Sequence, residues 1–137
     1  MKQILKLTIN ITGFQKVENQ NGCRQMILFD GIAEGTVFNG TILPGGVDTQ
    51  KYSSDQSMSL SARYMLKGKD FNNNECSIFI ENNASGKIGE ELTTLPQLFT
   101  DSKNLAYLET ANLFGKIENE NGKTIIFIYE NDESNQK

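Results

Sequence analysis

This sequence predicts an all-β fold, an antiparallel up-and-down (meander) barrel of about eight strands with little or no helix. Three observations carry the prediction. Apolar and polar residues alternate with a period of two, as at Leu5, Leu7, Ile9 and Ile11 against Lys6, Thr8, Asn10 and Thr12, which loads one face of a strand with apolar side chains. Turn residues recur at short intervals, and Asn21-Gly22 and Asn121-Gly122 each supply the pair that a tight type I′ hairpin demands. Nowhere does the sequence offer the crossover helices that parallel neighbours would need. A soluble meander must hide its edge strands, and closing the sheet on itself abolishes them.

The elements follow in order. The first strand starts near Leu5 and breaks at Gly13, after which Phe14 to Val17 lead into the turn Glu18-Asn19-Gln20-Asn21-Gly22. Cys23 to about Glu34 returns antiparallel to it. A third strand covers about Thr36 to Leu43 and stops at Pro44-Gly45-Gly46, because Pro lacks an N–H for the ladder and Gly accepts turn geometry. Met58, Leu60, Ala62, Tyr64 and Leu66 alternate with Ser57, Ser59, Ser61, Arg63 and Lys67, which turns Tyr64 inward and leaves Arg63 in the solvent register. Gly68 to Asn74 reads as a loop and Cys76 to Glu81 as a strand. Glu90 to Leu98 is expected to be irregular, since Thr93, Thr94 and Pro96 oppose more than one helical turn. A long strand is expected over Leu105 to Glu118, followed by a hairpin into the apolar strand Thr124 to Tyr129. Residues 1–131 make a single barrel domain, and 132–137 a polar, disordered tail. The pentapeptide Glu18 to Gly22 is echoed at Glu118 to Gly122, which is read as two hairpins drawing on the same short menu of turn residues.

Composition narrows the function. With 13 basic and 17 acidic residues the net charge is −4, without the cationic footprint that nucleic acid requires. No apolar run has transmembrane length, and Met1 to Lys6 interrupts its apolar stretch too early for a secretory signal, so no membrane partner is expected and the location is read as cytoplasmic. In that compartment Cys23 and Cys76 are expected as free, packed thiols. Histidine is absent, which removes Ser-His and Cys-His triads and most zinc sites. The glycine-rich stretch Gly31 to Asp48 has neither a Walker A Lys-Ser/Thr nor a GxGxxG entering a helix, so no cofactor or metal is implied.

The stretch Leu43-Pro44-Gly45-Gly46-Val47-Asp48, followed by Ala62-Arg63-Tyr64 and by Ile78-Phe79-Ile80-Glu81-Asn82-Asn83, resembles an uncharacterised bacterial protein family, family 0311 or domain of unknown function 3237. The resemblance runs over most of the chain and implies an up-and-down β-barrel. The family usually carries Trp where Thr49 stands here, Arg around the position of Asn82 where this chain has Glu81 and Asn83, and Trp-Leu-Asn in place of Tyr107-Leu108-Glu109. If those family positions line a pocket, the resemblance implies a pocket of different charge pattern in this chain.

The candidate ligand-binding residues are Glu34, Asp48, Arg63, Tyr64, Asn82, Tyr107 and Glu109, with Glu81 as a further polar neighbour. Those that point into a lumen must pair there, Arg63 forking onto a carboxylate. Tyr64 is the best single pocket residue, because its register makes it an inward ring with a hydroxyl to satisfy. Three functions are weighed. In the first a small molecule lies in the lumen or mouth of the barrel; in the second a carboxylate of raised pKa runs a cofactor-independent acid/base reaction of isomerase, lyase or cyclase type; in the third the chain is a structural module whose apolar outer strand, Ile125 to Tyr129, packs in a homo-oligomer. The first is preferred.

Overall fold

The computed structural model describes residues 1–131, so the tail expected at 132–137 lies outside the described residues. Eight strands, β1 (Lys2–Asn19), β2 (Gly22–Glu34), β3 (Phe38–Ser53), β4 (Ser57–Asp70), β5 (Glu75–Lys87), β6 (Thr93–Thr100), β7 (Leu113–Glu120) and β8 (Lys123–Glu130), form a closed barrel in chain order. Every neighbouring pair is antiparallel, and β8 closes onto β1 with Leu7 opposite Ile126. The meander barrel predicted from alternation is the fold observed.

Several boundaries differ from expectation, each for a local reason. β3 does not stop at Leu43. It passes through an irregularity between Ile42 and Val47, where Pro44 needs no ladder partner and Gly45 takes a φ of 111°, and then continues to Ser53. Gly13 likewise marks a bulge in one long strand rather than a break. The region expected to be irregular contains β6, in which Thr94, Pro96 and Leu98 are buried and alternate with exposed Leu95, Gln97 and Phe99. The two echoing pentapeptides make different turns. Asn121 and Gly122 both have positive φ, 53° and 82°, as a type I′ turn requires, whereas the first hairpin tips over Gln20-Asn21 and its Gly22 already belongs to β2. A side chain on Gly22 would collide with the Tyr52 carbonyl of β3.

The largest correction lies at Lys103–Glu109, expected as the start of a long strand and observed as a 3₁₀ helix. Its Leu105 and Leu108 are buried and three apart, the repeat of a 3₁₀ helix, and they cap one end of the barrel over a core that includes Leu5, Phe38, Leu66, Ile78 and Ile128. So short a helix has little stability of its own. Burying the two leucines contributes about 3–6 kcal/mol of transfer free energy. A polar latch adds to this: Asp70, at the end of β4, accepts hydrogen bonds from Ser102 Oγ (2.8 Å), Asn104 Nδ2 (3.2 Å), Asn72 N (3.0 Å) and Asn74 N (3.1 Å). Burial works against the Asp70 charge, yet these donors outweigh it and hold the carboxyl below its ordinary range.

The opposite rim is uneven. β1 to β5 have 13 to 18 residues, whereas β6, β7 and β8 have 8 each. One side of the barrel therefore stands taller than the other, and its inner face flares beyond the closed ring.

Candidate functional site

Below that flared wall lies a cavity of about 180 Å³. Ile9, Ile11, Ile27, Ile117 and Ile126 with Phe29 make its sides apolar, Asp48 and Gln50 supply its polar wall, and Ala62 reaches it from β4. These positions follow from the ladder. Ile27 of β2, Asp48 of β3, Ala62 of β4 and Asn82 of β5 stand level on successive strands, so their side chains share the inner face. The small Ala62 leaves room between Asp48 and Asn82.

Asp48 is partly buried, and burial pushes its carboxyl above the ordinary carboxylate range against the opposing hydrogen bond from Gln50. Gln50 Nε2 donates to Asp48 Oδ2 at 2.8 Å, and Gln50 Oε1 accepts from Tyr52 Oη (2.9 Å) and Gln25 Nε2 (2.5 Å). This chain fixes one carboxyl oxygen and the amide that serves it. Oδ1 is buried without a hydrogen-bond partner in the protein.

Three further inward polar atoms share that state: Tyr64 Oη, Asn82 Oδ1 and Thr94 Oγ1. Tyr64 is 3 % exposed, and its ring meets Phe29 edge-on at 5.3 Å with an interplanar angle of 65°. Burial, and secondarily the charge of Asp48, push its phenol pKa well upward, so it stays a hydroxyl. Asn82 and Thr94 are 1 % and 0 % exposed, and the missing side chain at Gly115 makes space for the Thr94 hydroxyl. A buried polar group left unpaired costs about 1–3 kcal/mol. The four come one from each of β3 to β6, and of them Asp48 lines the cavity.

The other sequence candidates lie elsewhere. Glu34 is exposed at the end of β2. Arg63 points outward and pairs with Glu81 at 3.4 Å across β4 and β5, so it forks onto no lumen carboxylate. Tyr107 is exposed on the 3₁₀ helix, where burial and then Glu130 raise its phenol pKa. Glu109 is exposed on the same helix and accepts from Thr100 N at 3.0 Å. Two members of the site were not among the candidates. Gln50 shares the period-two register of Asp48, a signal hidden by the expected stop at Pro44, and Thr94 fell in the stretch expected to be irregular. Cys23 is partly buried, Cys76 is buried, and both are free thiols. Among the described residues, no group of three or more His, Cys, Asp and Glu side chains could hold a metal ion, and no helix is long and apolar enough to cross a membrane.

A family model described as "Protein of unknown function (DUF3237)" matches residues 1–92. The chain belongs to the DUF3237 family. That match includes Asp48, Tyr64 and Asn82. Over 71 residues this DUF3237 chain is 39 % identical to a UPF0311 protein of Clostridium acetobutylicum, a segment that covers 51 % of the chain and 42 % of that relative. The chain thus spans less than half the length of that protein. Its fold is shared by a C. acetobutylicum protein of unknown function, with a TM-score of 0.81, 23 % identity and coverage of 94 % of this chain and 96 % of that one. An enzyme from Penicillium herquei has a TM-score of 0.67 at 15 % identity, covering 93 % and 92 % of the two chains. At such identities the likeness is one of fold.

Proposed function

We propose that this DUF3237 chain binds a small, neutral, largely apolar molecule in the open mouth of its barrel and orients it by a hydrogen bond to Asp48. The observation that carries the reading is the unpartnered Asp48 Oδ1 set into a cavity of about 180 Å³ whose walls, apart from Gln50 and Thr124, are apolar. An apolar cavity of about 150 Å³ holds benzene, so the space suits a ligand portion of about one ring. No Lys or Arg lines the cavity, which disfavours an anionic head group beside a carboxyl. The test is a methyl NMR titration with toluene, benzyl alcohol and benzoate. Benzyl alcohol should shift the methyl signals of Ile117 and Ile126 at millimolar concentration, toluene should bind about tenfold more weakly for want of the hydrogen bond, and benzoate least. A spectrum that none of the three perturbs would remove this reading.

A second reading is favoured by the raised Asp48 pKa and by the shared fold of the P. herquei protein, which is described as an enzyme. A carboxyl poised above its ordinary range can exchange a proton with a bound substrate without any cofactor, the chemistry of an isomerase, lyase or cyclase. Acetophenone in D₂O tests the capacity: methyl deuteration faster than in buffer, and lost in Asp48→Asn, supports it. A rate equal to buffer argues for binding alone.

A further inference from the structure

We propose that two copies of this chain pair edge to edge through the projecting half of β1, in an antiparallel dimer centred on Val17. β8 accompanies β1 only as far as Ile9, opposite Thr124. From Asn10 to Asn19, β1 pairs with β2 alone among the described residues, so its other edge carries backbone groups with no strand beside them. Natural edges are usually blunted by proline, short length or charge. Past the bulge at Gly13 this one runs on for six residues, Phe14 to Asn19, without proline, and its charges, Lys16 and Glu18, pair with each other at 3.7 Å. It also presents Val17 at 67 % and Phe14 at 57 % exposure.

The charges select the occupant and the register. When Val17 of one copy faces Val17 of the other across the two-fold axis, Lys16 of each copy stands opposite Glu18 of the other. A slip of two residues one way sets Lys16 against Lys16, and a slip the other way sets Glu18 against Glu18. A slip of one residue would turn the faces over. Only the Val17-centred register sets opposite charges in cross-strand pairs, and a symmetric dimer makes each such pair twice. Phe14 faces Ile27, which lines the cavity, so the joined edges carry the flared wall of one barrel into that of the other.

Sedimentation velocity of the full chain, from micromolar to millimolar concentration, tests the dimer. A reversible monomer–dimer equilibrium is expected. Lys16→Glu and Glu18→Lys should each raise the dimer Kd about tenfold or more by turning two attractive pairs repulsive, and combining them should bring it back near the wild-type value. Circular dichroism of all three variants checks that the barrel is intact, and the double variant keeps the test decisive should one single variant fold poorly. A monomer at every concentration, or a dimer indifferent to the charge swaps, overturns the proposal. Neither result bears on ligand binding in the cavity.

Discussion

Asp48 and Asp70 titrate in opposite senses. The folded chain holds the Asp48 proton more tightly than the unfolded chain, whose carboxyl has an ordinary value of 3.8. Stability from Asp48 is therefore fully present below pH 3.8 and is lost as pH rises through the raised folded value. Asp70 is lowered, so its contribution is present above pH 3.8 and is lost as pH falls through the folded value. The two windows lie on either side of pH 3.8. Replacing Asp48 by the isosteric Asn should flatten the fall in Tm on the high-pH side and leave the acid side unchanged, as read from thermal melts across a pH series; an unchanged profile would mean that the carboxyl is not buried as described. Tyr64 and the inward register of β4 were legible in the sequence because Leu60, Ala62 and Leu66 fix the face. Asn82 and Asp48 could be named as polar candidates, but their direction depended on ladder partners and a bulge that residue spacing does not encode. Glu109 and Tyr107 stand where the family carries a Trp-Leu-Asn stretch and fell within an expected strand, and the helix that carries them turns them to solvent.

Elements were read well where alternation was long and poorly where one residue carried the geometry. The 3₁₀ helix was missed because Leu105, Tyr107, Ala111 and Leu113 also share a register of period two, broken only at Glu109, whereas the buried pair Leu105 and Leu108 follows a period of three. What decides between them is Ser102. Its side chain accepts from Leu105 N at 3.2 Å and donates to Asp70 on another hairpin, a long-range contact invisible to a local pattern. β6 was missed for a related reason: Pro96 argues against both helix and central strand, but β6 pairs with β7 only at Thr93 and Thr94, so Pro96 sits where the ladder makes few demands. The cap of the barrel gives the test at this scale. Leu108→Ala should cost about 2–5 kcal/mol in urea melts, since the cavity it leaves is walled by strands that cannot collapse. The benzyl alcohol binding proposed for the cavity at the other end should be unchanged in the folded fraction. A loss under about 1 kcal/mol would show that the helix lies on the barrel without closing it.

At the scale of the whole molecule, closure was legible and height was not. A train of antiparallel strands with greasy inner faces has few ways to hide its edges, and a cylinder is one. How far each strand rises above the ring depends on where partners end, which is why the projecting half of β1 was not foreseen. Ring closure also sets an order in time. β1 leaves a ribosome before its partner β8, which follows more than a hundred residues later. At about 5–20 residues per second, the wait is on the order of ten seconds. Throughout it, Lys2 to Ile9 can find only one of its two neighbours, so the nascent chain spends that time as an open sheet that chaperones, or other nascent chains, are free to meet.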